Sequence, residues 1–181
     1  MIPYSRQNIN IFDLLSVLKA LTHQLITQGP IGYSFEKDIC QFTSSKYCIC
    51  SNSATSSLIL AYKALGLKKN DFLWTTPITF VATSNAALLC DAKVDFVDVD
   101  IDDGLIDVKK FKEKILLAKD EKRLPKILTI VHLYGNTPDL RKIKEICDEN
   151  NIKIVEDASH ALGTYSQSVK VGSCKYSDAC I

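Results

Sequence analysis

The segment NIKIVEDASHALG, residues 151–163, places Glu156, Asp157, Ser159 and His160 straight after a short apolar run. Carboxylates at the end of a buried strand are costly to desolvate unless a positive group meets them. The arrangement therefore suits the holding of a cation. A structural salt bridge from Asp157 to a Lys or Arg is the alternative, and Glu156 equally suits a solvated neighbour. His160 on its own reads as a core histidine. A second cluster, SNSATSS at 51–57, runs from a strand into a helix whose first turn is all small residues. Free backbone N–H groups around Ala54 and Thr55, with the nearby hydroxyls, would cradle an anion at the positive helix end. An ordinary Ser/Thr cap with no ligand has the same sequence. Neither GxGxxG nor GxxxxGK[ST] occurs, so the usual dinucleotide and Walker phosphate loops are absent.

These groups need a frame. Leu14, Leu15, Leu18, Leu21 and Leu25 recur at helical spacing, and Gly29-Pro30 reads as the stop of that helix. KYCIC (46–50) reads as a short strand and ATSSLILAYKALG (54–66) as a helix ended by Gly66. DFLWTTP (71–77) is an expected strand leaving at Pro77, followed by a helix over FVATSNAALLCD (80–91). KVDFVDVD (93–100) reads as a strand turning Val and Phe inward, and DVKKFKEKILLAK (107–119) as a helix. A strongly apolar strand is expected at KILTIVHLYG (126–135) and a helix at PDLRKIKEICDENN (138–151), with Pro138 near its first turn. Strands alternating with helices at this spacing predict an α/β fold, three layers with a mostly parallel sheet covered on both faces. Ligands in such sheets sit beyond the carboxyl ends of the strands. SNSATSS, TTPITF and EDASH all put polar groups there.

Length and composition set the outer bounds. The 181 residues, 46% apolar and 24% charged, suit one domain or one and a half with a substantial core. Lys and Arg number 22 against 21 Asp and Glu, with no basic run, which argues against nucleic acid as a partner. No apolar run reaches the roughly 18 residues of a membrane helix, so no membrane partner is expected and the setting is read as cytoplasmic. The seven cysteines lack a CxxC or a Cys/His ligand spacing. They read as small buried hydrophobes in a reducing compartment, with no metal site; Cys48 and Cys50 would share one face of their strand.

Taken together, several stretches resemble the DegT/StrS-like family of nucleotide-sugar aminotransferases, pyridoxal-phosphate enzymes of fold type I. They are IPYSRQNI (2–9), TQGPIGYSFE (27–36), SNSATSSL (51–58), TTPITFVATSNAAL (75–88), HLYG (132–135) and EDASHALG (156–163). The resemblance spans essentially the whole chain and is closest to the branch that aminates the C4 ketone of a UDP-linked N-acetyl dideoxy sugar on the route to pseudaminic acid. It implies pyridoxal 5'-phosphate as cofactor, with Asp157 keeping the ring nitrogen protonated and His160 near the phenolic oxygen. It also implies Phe80 stacked on the ring, where Phe80 in isolation would read as plain core. Ala54 and Thr55 would hold the phosphate through backbone N–H groups and the Thr55 hydroxyl. The implied reaction moves an amino group from an amino acid, L-glutamate, to a 4-keto nucleotide sugar. His132 and Tyr134 lie near the site without an assigned role.

The family's Schiff-base lysine follows a GD-x-x-x-FSFH-like run. Here GSCKYSDACI ends the sequence at Ile181, so no catalytic residue is assigned and that lysine is expected beyond it. Lys170 and Lys175 precede the strand and are not candidates. The resemblance thus implies a truncated large domain at 31–181 behind an N-terminal helical segment at 1–30, without the C-terminal small domain. It implies a homodimer for the full-length form only. The 181 residues alone are expected to be poorly soluble and inactive. Two alternatives remain: a non-catalytic half complementing a separately encoded C-terminal half, and a sugar dehydratase relative in which histidine replaces the lysine.

Overall fold

Asn10 starts the first helix by a reciprocal cap, its side chain accepting from the Phe12 amide while Asp13 accepts from the Asn10 amide. The computed structural model describes residues 6–181, so the opening of the 2–9 motif and of the 1–30 segment lies outside the described residues. Helix α1 (Ile11–Leu21) ends at Thr22, short of the expected stop, and none of its residues is buried. Gly29-Pro30 begins a helix instead of ending one: Gly29 is the N-cap of α2 (Pro30–Thr43) and Pro30 occupies its first turn. Proline is at home there because it has no N–H to leave unsatisfied and its φ is already helical.

The stretch KYCIC is not a strand. Residues 46–50 are irregular, and the Cys50 amide bonds to the Glu36 carboxylate at 2.8 Å instead of joining a ladder. Extended propensity yields a strand only where a neighbour can take the backbone groups. Cys48 and Cys50 therefore share no strand face.

Beyond residue 50 most of the expected alternation is present. Ser53 caps α3 (Ala54–Ala64) by accepting from the Ser56 amide, and Gly66, at φ 81°, follows its end. Strand β1 (Phe72–Thr75), helix α4 (Ala82–Leu88) and strand β2 (Lys93–Phe96) come next. Asp107 caps α5 (Val108–Asp120), which leads to β3 (Ile127–Val131) and a 3₁₀ turn at Leu133–Gly135. Asp139 caps α6 (Leu140–Glu149), with Pro138 one residue ahead of the cap, and β4 (Lys153–Asp157) follows. A small hairpin of β5 (Tyr165–Ser166) and β6 (Val169–Lys170) precedes β7 (Ala179–Cys180).

The main sheet runs in the order β2-β1-β3-β4-β7, and every pairing in it is parallel. Side-chain alternation divides its core into two. Trp74, Leu128, Ile130 and Ile154 point toward α5 and α6, packing on Phe111, Ile115, Ile143 and Cys147. Leu73, Ile127 and Val155 point the other way, onto Leu58 and Tyr62 of α3 and the alanines 82, 86 and 87 of α4. The expected three-layer parallel architecture is thus present.

Two details depart from expectation. Phe96 is 45% exposed, and the buried residue is Val97, past the end of β2. As an edge strand, β2 has a neighbour on one flank only, and Asp95 turns to Lys114 at 2.8 Å. Of the seven cysteines, all free, only Cys147 is fully buried, which pushes its thiol up to about 12, and Cys50 is exposed.

Trp74 and Phe111 meet edge to face, centroids 6.4 Å apart at 84°, and lock the α5 layer onto the sheet. Phe111→Ala is expected to lower the unfolding free energy by about 3–5 kcal/mol in urea titration. Leu117→Ala, at a site 69% exposed on the same helix, should change it by less than about 0.5 kcal/mol.

Candidate functional site

Because successive residues of a strand face opposite ways, the two acids that end β4 part company. Glu156 turns to the α5–α6 face and is only 2% exposed, so it is not a solvated neighbour. Nε2 of the buried His132, at the end of β3, lies 2.7 Å from its Oε2. Ser177 donates to its other oxygen at 2.5 Å. The partner that Glu156 meets is thus a histidine 24 residues away.

Asp157 faces the α3–α4 side and has no such partner. Thr83 Oγ1 donates to its Oδ2 at 2.7 Å, and Ser159 Oγ donates to Oδ1 at 2.8 Å. Its backbone carbonyl accepts from the His132 amide at 3.0 Å, which ties β4 to β3 at this point. Among the described residues no Lys, Arg or His forms an ion pair with Asp157. The structural salt bridge weighed for this residue is therefore not formed among the described residues.

Asp157 looks into a cavity of about 510 Å³ beyond the carboxyl ends of the strands, and all five residues singled out from the sequence border it. Ala54 and Thr55 belong to the first turn of α3, where amides have no helical partner; Ser53 takes the Ser56 amide. Phe80 is 74% exposed just ahead of α4, so it is not a core residue. His160 lies on the turn after β4 and is stacked against Tyr134, ring centroids 6.4 Å apart at 16°.

Tyr134 reaches that stack through a left-handed backbone, φ 53°, in the 3₁₀ turn. Gly135 is next, at φ 84°, where a Cβ would come within 3.2 Å of the His160 carbonyl. A non-glycine residue held left-handed at a cavity wall is the kind of strain that persists where surrounding contacts enforce it.

Lys170 and Lys175 do not border the cavity. Lys170 Nζ donates to the Phe42 carbonyl at 2.6 Å and lies over the Phe42 ring. Thr83 escaped the sequence reading, as did Thr79, whose hydroxyl lies 2.9 Å from that of Thr83. Their place inside TTPITFVATSN, straight after the carboxyl end of an expected strand, was the available signal.

Among known proteins, the model of the DegT/DnrJ/EryC1/StrS aminotransferase family matches residues 8–180. The UDP-4-amino-4,6-dideoxy-N-acetyl-beta-L-altrosamine transaminase of Campylobacter jejuni is 42% identical over 173 residues, 96% of this chain and 45% of that protein. Helicobacter pylori PseC, an aminotransferase involved in the biosynthesis of pseudoaminic acid, superposes with a TM-score of 0.85 at 30% identity, covering 94% of this chain and 44% of that one. NtdA from Bacillus subtilis, solved with bound cofactor PMP, gives 0.78 at 28% identity over 94% of this chain and 37% of that one. The chain therefore spans less than half the length of the relatives it matches.

Glu156→Ala is expected to cost about 3–5 kcal/mol of unfolding free energy, because it strips His132 and Ser177 of a shared buried acceptor. Glu156→Gln, which keeps an oxygen for the imidazole and an amide for Ser177, should cost much less. Equal losses in urea titration would show that the bond to His132 is not what holds this corner.

Proposed function

The chain belongs to the DegT/DnrJ/EryC1/StrS aminotransferase family, and from that premise we propose that it is the cofactor-binding part of a sugar aminotransferase. The enzyme transfers an amino group from an amino acid, L-glutamate, to the C4 ketone of a UDP-linked N-acetyl dideoxy sugar. Its cofactor is pyridoxal 5'-phosphate. Residues 31–181 are read as part of the large domain, behind an N-terminal helical segment at 1–30. The cofactor-anchoring lysine is assigned to sequence outside these 181 residues. A cytoplasmic homodimer is the form proposed for the whole enzyme.

One observation carries the reading: Asp157 is a buried carboxylate held by two hydroxyls, facing a cavity, with no cation among the described residues paired to it. Such a group favours a ligand that brings positive charge. The rest of the lining fits a planar, phosphorylated cation. About 510 Å³ lies within the usual range of small-molecule sites. The first-turn amides of α3 suit a phosphate, and the exposed Phe80 ring offers a flat apolar surface.

When bound, the pyridoxal ring supplies an electron sink for the carbon that loses its proton. The chain's part is to set that sink up. Asp157 holds a proton on the ring nitrogen. Thr55, with the amides of its turn, holds the phosphate. Phe80 covers one ring face against water, and His160 serves the phenolic oxygen.

Titration of the 181-residue chain with pyridoxamine 5'-phosphate should show saturable binding, weakened at least about tenfold by Asp157→Ala, the loss of one charge-assisted bond. Unchanged affinity in a folded Asp157→Ala chain would overturn the assignment. For the substrate, residues 1–181 joined to the remainder of the Campylobacter jejuni relative should transfer the amino group of L-glutamate to the 4-keto sugar nucleotide. A folded fusion that binds cofactor without turnover would remove the proposed reaction and leave the cofactor site standing.

A further inference from the structure

We infer that Thr83 and Thr79 form a one-way hydroxyl relay that positions Asp157 and turns Thr79 into an acceptor on the cavity wall. Thr83 acts through Asp157 and is a positioning residue. Thr79 is the ligand-facing end, selecting a group that offers N–H or O–H.

The direction of the relay comes from counting protons. An ionised carboxylate can only accept, and a threonine hydroxyl has one proton to give. Thr83 is fully buried and gives its proton to Asp157 Oδ2 at 2.7 Å. The contact between Thr83 Oγ1 and Thr79 Oγ1 at 2.9 Å must then run from Thr79 to Thr83. Thr79 has no proton left, and only its lone pairs remain for whatever lies beyond. It is half-buried and borders the cavity.

A second wire holds Thr83 from behind by the same logic. The Tyr62 hydroxyl donates to the Thr83 carbonyl at 3.0 Å, so its contact with Thr129 Oγ1 at 2.9 Å must run from Thr129 to Tyr62. Burial pushes the Tyr62 phenol well up, so it stays protonated and remains a donor. Thr129 lies on β3, Tyr62 on α3 and Thr83 on α4. Tyr62 of α3 and Asp157 of β4 therefore both meet Thr83 on α4, with two acceptors, the carboxylate and the carbonyl, setting the sense of every bond.

The cavity is thereby given a polarity. Its α3 end presents N–H groups and takes an anion, whereas Thr79 presents an oxygen and disfavours one. A ligand with a phosphate at one end must carry its donor at the other. For the identity of that ligand the inference rests on the function proposed above.

The test is a mutant cycle on the 181-residue chain, read by pyridoxamine 5'-phosphate affinity and by urea unfolding without ligand. Thr83→Val should weaken binding about tenfold and Thr83→Ser less than about threefold, the scale of a hydrogen bond to a charged group. In an Asp157→Ala background, Thr83→Val should change affinity less than about twofold, because a positioning residue has nothing left to act through. Thr79→Val should weaken binding about threefold, the loss of its own contact with the ligand. An equal effect of Thr83→Val in both backgrounds, or failure of Thr83→Ser to restore binding, would overturn the relay. Should the unmodified chain bind no pyridoxamine 5'-phosphate, the cofactor reading fails while the relay is still decided by unfolding. There, Thr83→Val and Asp157→Ala together should shift the midpoint no more than the larger single change, and additive shifts would overturn it.

Discussion

The site depends on the alternation of side chains along one parallel strand. Glu156 and Asp157 are neighbours in sequence, yet a strand cannot point both to one side. The carboxylate sent to the α5–α6 layer is closed into the protein by His132 and Ser177. The one sent to the α3–α4 layer opens on the cavity. Had both shared a face, two buried like charges would have opposed each other, which β4 could not accommodate without neutralising one.

The two acids are held by different means, and the difference suits their places. A buried hydrogen-bonded pair satisfies its members mutually and leaves little for a ligand. Hydroxyl donors stabilise a carboxylate without cancelling its charge, so Asp157 remains negative toward the cavity. Thr83 and Ser159 take one oxygen each, fixing the plane of the carboxylate. The His132 amide, bonded to the Asp157 carbonyl, links the two systems through the backbone. The Glu156 corner thus anchors the strand end from which Asp157 projects.

The cavity walls come from segments that sheet topology brings together. β1, β3 and β4 are parallel neighbours, so the chain leaving each carboxyl end emerges on one edge. From there come Phe80 and Thr79 after β1, Tyr134 after β3 and His160 after β4, with the first turn of α3 closing the ring. A parallel sheet collects loops in this way, and for that reason ligands bind at its carboxyl edge.

Much of this was legible in the residues, and the boundary is physical. The Ser53 cap and the helical periodicities involve partners at most a few residues apart, so the sequence alone determines them, whereas the apolar runs mark strands whose partners it leaves open. The family resemblance added Ala54, Thr55, Phe80, Asp157 and His160 as a set. Local rules failed where the outcome belonged to a distant partner. KYCIC has strand propensity but no ladder to join, and Gly29-Pro30 suits either end of a helix until packing decides which side is helical. Only the fold could decide that Glu156 meets His132, 24 residues away, and that Asp157 meets Thr83, 74 residues away. Those pairings are set by strand register and by where α4 lands on the sheet, quantities that exist only once the layers have packed.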